Sequence, residues 1–281
     1  MLLGTSAVQA HGREVYKMRR ICILLLGSLL PTIFALAADD VAYTKRWVQG
    51  VPVHVVTANL NSPNVKVSPA IARHGIGTSE GFGSMLSRLK PAAAITGTYF
   101  CMRSLIPTGH IAIDSKLVNP GCLGTAVCFG IGNTVEFKLY SSPLPRPGMY
   151  ESVLAGGPRL VKDGVVSLSP WVEGFRDGHL YRLAQRSALG ITRYNKLLLV
   201  TVNRPIYMGK LAKIMRELGA VDAINLDGGS SAALFCDGRT YSHPGRRLTN
   251  LIVVYETPTQ FARAKSQLAP SPVIAATQSK S

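Results

Sequence analysis

The chain concentrates its most reactive groups in one short run, Ala223-Ile224-Asn225-Leu226-Asp227-Gly228-Gly229-Ser230-Ser231. Side chains two apart on a strand share a face, so Asn225 and Asp227 would emerge together at the strand's end. A hydrophobic core has no use for such a pair. A carboxylate there can take a proton or attack a carbon. Gly228 and Gly229 let a ligand approach main-chain N–H groups, and the Ser230 and Ser231 hydroxyls add donors and acceptors. The same residues also spell an ordinary strand followed by a tight Asp-Gly turn, and spacing alone does not separate the two readings.

Something must aim that strand. Between Tyr207 and Leu218 the residues Leu211, Ile214, Met215 and Leu218 recur on one helical face, with Gly219 at the end, and this helix leads into a strand from Val221 to Leu226. A second helix is expected over 79–90, with Phe82, Met85, Leu86 and Leu89 on one side, Ser79 as cap and Pro91 as stop. Strand-like runs cover 47–60, 64–71, 92–95, 111–114, 153–161, 187–191, 196–202, 232–235 and 248–255, and a hairpin turns at Gly132-Asn133. His54 reads as a packed strand residue. Residues 165–185 are polar and aromatic with weak periodicity and read as a mobile flap carrying Trp171, Glu173, Phe175, Arg176 and His179. Many strands, few helices and no repeat indicate one α+β domain with a mixed or antiparallel sheet over 41–256, followed by a disordered tail, 257–281.

The N-terminus has the parts of a secretory signal. Lys17-Met18-Arg19-Arg20 precedes an apolar run from Ile21 to Leu30, and Ala35-Leu36-Ala37 supplies a small-residue exit with cleavage after Ala37. An uncleaved anchor is the rival, and Met18 offers a later start that would make 1–17 an extension. Export would leave four cysteines in a disulfide-permissive compartment. Cys122 with Cys128 and Cys101 with Cys236 is the favoured of three pairings, over a zinc site. The formal net charge is +16, and removing the leader takes away Arg13, Lys17, Arg19, Arg20 and Glu14. A basic exported protein meets anionic partners such as phosphorylated glycans. Scattered charges without a basic helix or aromatic–basic stripe argue against nucleic acid.

Several segments taken together resemble one family. Ala94-Ile95-Thr96-Gly97-Thr98-Tyr99-Phe100, Ala155-Gly156-Gly157-Pro158-Arg159-Leu160-Val161, Arg186-Ser187-Ala188-Leu189-Gly190 and the Asn225–Ser231 run occur in the order found in phosphodiester glycosidases. Pro244-Gly245-Arg246-Arg247-Leu248-Thr249-Asn250 resembles the segment closing such domains, particularly in exopolysaccharide-associated members. The likeness covers roughly 48–256. Two positions depart from it: Thr96 stands where the family usually has Asn, and Thr201-Val202-Asn203-Arg204 where many relatives have an Asp-Gly-Arg type sequence.

The resemblance implies an exported hydrolase that cleaves a sugar from a sugar 1-phosphodiester in envelope or exopolysaccharide glycan processing, located in the periplasm or secreted. A non-catalytic envelope protein that binds anionic glycan is the alternative. Phosphate leaves readily, so stabilising its oxygens matters more than strong acid catalysis. Asp227 would be base or nucleophile, Asn225 would orient water or a sugar hydroxyl, and Arg186 would grip phosphate in a fork. Gly97, Thr98, Tyr99, Gly156, Gly157, Gly228, Gly229, Ser230 and Ser231 would contact substrate, while Phe100 reads as core. Glu173, Asp114 and Asp222 remain equal choices for a second carboxylate. No cofactor is expected; a divalent ion on Asp227 stays open, although no oxygen-ligand loop is visible. No stable membrane insertion is expected once the leader is removed, and the oligomeric state is open.

Overall fold

The structure is a computed structural model that describes residues 39–139 and 148–270. The leader and the proline-rich stretch at 143–147 lie outside the described residues. The chain opens with strands β1 (Val41–Val48), β2 (Val51–Asn59) and β3 (Lys66–Ile71), helix α1 (Phe82–Leu89), then β4 (Ala93–Thr96), β5 (Ile111–Ile113), β6 (Lys116–Asn119), β7 (Thr125–Phe129) and β8 (Val135–Leu139). It continues through β9 (Ser152–Gly156), β10 (Arg159–Lys162), β11 (Val165–Val166), β12 (Ala184–Thr192), β13 (Lys196–Ile206), α2 (Met208–Glu217) and β14 (Ala220–Asn225). The last elements are β15 (Leu234–Cys236), β16 (Arg239–Ser242), β17 (Asn250–Tyr255) and α3 (Pro258–Leu268).

These strands form three sheets, ordered β1-β2-β13-β12-β14-β10-β11, β16-β15-β4-β17-β3 and β6-β5-β9-β7-β8. Every ladder is antiparallel, as in β12 with β14 and β17 with β4, so the expected α+β class holds. Alternation along the strands explains the stacking. In β13, Leu197 and Leu199 enter the core shared by the three sheets, while Leu198, Val200 and Val202 face the opposite way onto α2. In β17, Ile252 and Val254 point into that same central core, and Leu251, Val253 and Tyr255 pack with α1 and α3. Strands buried on both faces read as continuous apolar runs, which is why 196–202 shows no alternation.

Three local expectations change. The run 47–60 is a hairpin rather than one strand: Gln49 and Gly50 both take positive φ, and β1 folds back on β2. Between the strand-like runs 232–235 and 248–255 lies a further strand, β16, which pairs with β15 through the Asp237-Gly238 turn. The segment from 257 begins with α3, whose Thr257 hydroxyl accepts the Gln260 N–H, with Pro258 in the first turn; residues 271–281 lie outside the described residues.

The cysteine pairing does not form. The four cysteines among the described residues are free; Cys101 and Cys122 are exposed, whereas Cys128 and Cys236 are buried. Cys128 points into the core of β7 and β9, and Cys236 into the central core. Each proposed bridge would join a core thiol to a surface thiol, so both expected pairings are corrected to free thiols.

Candidate active site

The end of β14 lies where two sheets meet. The Leu226 N–H still donates to Ser187 O on β12 (2.9 Å), but the next one, Asp227 N–H, donates to Gly97 O just beyond β4 (2.9 Å). Gly97 N–H donates to Asn250 O (3.1 Å), and the Asn250 carboxamide holds both the Thr98 N–H (2.7 Å) and the Thr98 carbonyl (3.1 Å). Gly97 has to lack a side chain: an added Cβ would stand 1.9 Å from Asn250 Oδ1. Asp227 is therefore fixed by backbone bonds from two sheets.

Beside it opens a cavity of about 660 Å³. Its polar lining includes Tyr99, Asp177, His179, Arg186, Asp227 and Arg246, its loop wall is Gly228-Gly229-Ser230, and Phe100, Leu123 and Phe175 supply apolar surface. Asp227 is only 6% exposed. Its Oδ1 accepts the Gly228 N–H (2.9 Å) and its Oδ2 faces Arg246 Nη2 (3.2 Å). Burial pushes the carboxyl above the ordinary carboxylate range, against hydrogen bonds from Ser231 and Gly228 and the charge of Arg246. Such a carboxylate is a stronger base than one in water.

Arg186, on β12, is 4% exposed. Its Nε donates to Ile206 O (3.3 Å), and its Nη2 to Leu180 O (2.9 Å) and Arg182 O (2.5 Å). Among the described residues no carboxylate pairs with it, and burial draws its pKa below the usual arginine value. A buried charge without a counter-charge is costly unless a ligand supplies one. Nη1 has no protein partner among the described residues, and the residue lines the cavity.

The expected site residues divide into those that meet the cavity and those behind it. Tyr99, Arg186, Asp227, Gly228, Gly229 and Ser230 line it. Asn225 does not; its amide donates to the Tyr99 hydroxyl, and its Oδ1 is buried without a partner. Gly97, Thr98 and Ser231 build the floor, and Ser231 Oγ accepts from Arg246 Nε (2.5 Å). Gly156 and Gly157 are packing positions: Gly157 N–H donates to Asn225 O (2.7 Å), and a Cβ on Gly157 would meet Glu173 and Phe175 at 3.0 Å. Phe100, expected in the core, instead lines the cavity, with the Arg246 guanidinium 4.7 Å from its ring.

None of the three carboxylates held open reaches the cavity. Glu173 is buried, accepting from Thr125 Oγ1 (2.7 Å) and Arg159 N–H (2.6 Å). Asp222 pairs with Arg159, and Asp114 with Lys265 (2.6 Å). The two departures from the family pattern also lie outside the lining: Thr96 is buried in β4, and the Asn203 amide donates to Tyr241 O (3.0 Å). In the sequence Arg246 stands out only as part of the closing segment Pro244–Asn250. Nothing in the spacing brought Asp177 and His179 to this cavity.

Solved structures share the fold. A hypothetical protein from Synechocystis aligns with a TM-score of 0.69 at 18% identity, covering 77% of this chain and 62% of that one. The zebrafish N-acetylglucosamine-1-phosphodiester alpha-N-acetylglucosaminidase catalytic domain, auto-inhibited by its pro-peptide, aligns at 0.63 and 18%, covering 79% and 85%. A putative exported protein from Burkholderia pseudomallei aligns at 0.51 and 13%, covering 73% and 74%. At these identities the likeness speaks for the fold alone. No curated protein matches the chain in sequence. The phosphodiester glycosidase family profile matches residues 90–255, a stretch that holds every residue lining the cavity. The chain belongs to the phosphodiester glycosidase family.

Proposed function

We propose that the protein is an exported hydrolase that cleaves the bond between the anomeric carbon of a sugar and a phosphodiester in envelope or exopolysaccharide glycan. The observation carrying this reading is the buried Arg186, which lacks a counter-charge and lines the same cavity as a buried basic carboxylate. An anionic phosphodiester supplies the missing charge. Arg186 and Arg246 hold its oxygens, with the Gly228-Gly229 loop alongside. Asp227 takes a proton from the water that attacks C1; the C1–O bond breaks and its electron pair leaves with the phosphate. Asp227 acting instead as nucleophile would form a glycosyl–enzyme first and retain the anomeric configuration.

The reading is tested by incubating the purified protein with nucleotide sugars and synthetic sugar 1-phosphodiesters in oxygen-18 water and weighing the products. Label is expected on the released sugar, and Asp227→Asn and Arg186→Ala are expected to abolish its release while the fold persists. Label on phosphate, or undiminished turnover in both variants, would overturn it. Binding without turnover across the panel would assign the cavity to capture of anionic glycan. The anomer seen first by NMR separates base from nucleophile.

A further inference from the structure

The cavity holds a second titratable group outside the family segments. Asp177 and His179 both line it. Asp177 caps the short turn Gly178–Tyr181, its Oδ1 accepting the His179 backbone N–H (2.8 Å) and standing 2.8 Å from His179 Nδ1. That contact fixes the ring's tautomer and leaves Nε2 as the atom available to a ligand. The far end of the same turn is held by Arg186, through Leu180 O and Arg182 O. The guanidinium that would receive phosphate thus also positions the histidine. Among the described residues no other histidine lines the cavity, and Asp177 and Asp227 are its lining carboxylates.

We propose that His179, oriented by Asp177, is the general acid of the reaction and gives its Nε2 proton to the departing phosphate. This rests on the glycosidase reading above. As the C1–O bond breaks, its electron pair moves onto the phosphate oxygen and the imidazolium supplies a proton there, while Asp227 accepts one from the attacking water. The products are the sugar and a phosphate monoester monoanion, and the two protons balance. The second ionisation of a phosphate monoester lies near pH 6, where imidazole is the best-matched donor. Of the charged groups, Asp177 contacts the ring, Arg186, Asp227 and Arg246 share the cavity lining with it, and Arg176 and Arg182 lie on either side of its turn in the chain.

The test compares wild type, His179→Gln and Asp177→Asn on one sugar 1-phosphodiester from acid to alkaline pH. General acids contribute about 10²–10⁴-fold, and an easily departing phosphate puts His179 at or below the lower end, about 10–100-fold in kcat with little change in KM. An alkaline fall of kcat/KM is expected in wild type and should vanish in His179→Gln, while Asp177→Asn, which frees the ring to turn, should lower kcat and keep the fall. A merely structural histidine would lower the rate equally at every pH. An alkaline limb retained in His179→Gln overturns the proposal. Should wild type turn over no phosphodiester, the hydrolase reading fails separately. Nitrogen-15 NMR of the His179 ring during titration with methyl phosphate then decides: a saturable Nε2 shift supports contact with phosphate, and no shift overturns it.

Discussion

Replacing Asp227 by Asn should remove activity and stabilise the protein at the same time. Asn has nearly the same shape, and its carbonyl can still accept the Gly228 N–H that Asp227 Oδ1 now holds at 2.9 Å. What disappears is a charge on a residue 6% exposed. Because burial raises the folded-state value above the ordinary 3.8, ionising Asp227 is harder in the folded chain than in the unfolded one. Wild-type stability is then fully present below the ordinary Asp range and declines as pH rises through the raised value; the variant lacks that decline. Each tenfold weakening of the acid corresponds to about 1.4 kcal/mol in favour of Asn at neutral pH. The net rise already includes the attraction of Arg246, whose side chain is 30% exposed; solvent keeps such a pair to about 1 kcal/mol or less. Urea unfolding of both proteins from pH 3 to pH 8 should show a gain at neutral pH, each 1 kcal/mol of it worth roughly 2–4 °C in Tm for a chain of this size, closing towards pH 3. A variant less stable throughout, or a gain that persists undiminished at pH 3, would refute the reasoning.

Four further outcomes are expected. Arg246→Met should lower kcat/KM by about 10²–10³-fold, since it removes the cation 3.2 Å from Asp227 that also lines the cavity; steady-state kinetics will show it. Glu173→Ala should lower the melting temperature yet keep turnover within about threefold, because it leaves the Thr125 hydroxyl and the Arg159 N–H without their acceptor outside the cavity; calorimetry and kinetics together check this. Asn250→Ala should destabilise by about 1–3 kcal/mol in denaturant unfolding, leaving the Thr98 backbone groups buried and unpaired. Cys101, exposed, with hydrogen bonds from Ser104 lowering its thiol to about 7, should be alkylated first by iodoacetamide at neutral pH. Burial pushes Cys128 up to about 12 and Cys236 to about 11, so both should react only on unfolding, as read by peptide mass.

Much of the scaffold is legible in the sequence, because α1 and α2 carry helical periodicity and the buried strands stand out as continuous apolar runs. Strand β1 was hidden because Thr44, Lys45, Arg46 and Trp47 are exposed at a sheet edge, where charge discourages further pairing and dilutes the strand signal. Helix α3 was hidden by composition, although Thr257-Pro258 is a sound start signal. In the site, Asp227 and Arg186 announced themselves through their segments. Asp177, His179 and Arg246 did not, since their places depend on how a loop and a closing segment fold over the ends of distant strands. The glycines misled in the opposite direction: Gly97 and Gly157 are bare to let Asn250 and Glu173 approach, and chain spacing does not distinguish room for a neighbour from room for a ligand.

The bond from Asp227 N–H to Gly97 O joins chain positions separated by more than a hundred residues, and Arg186 and Arg246 come from two further distant segments. Such contacts close late in folding, after the sheets have docked. No hairpin, fragment or half-folded intermediate can hold a carboxylate and two guanidiniums around one space. The candidate site therefore exists only in the complete fold, and any change that undocks one sheet dismantles it.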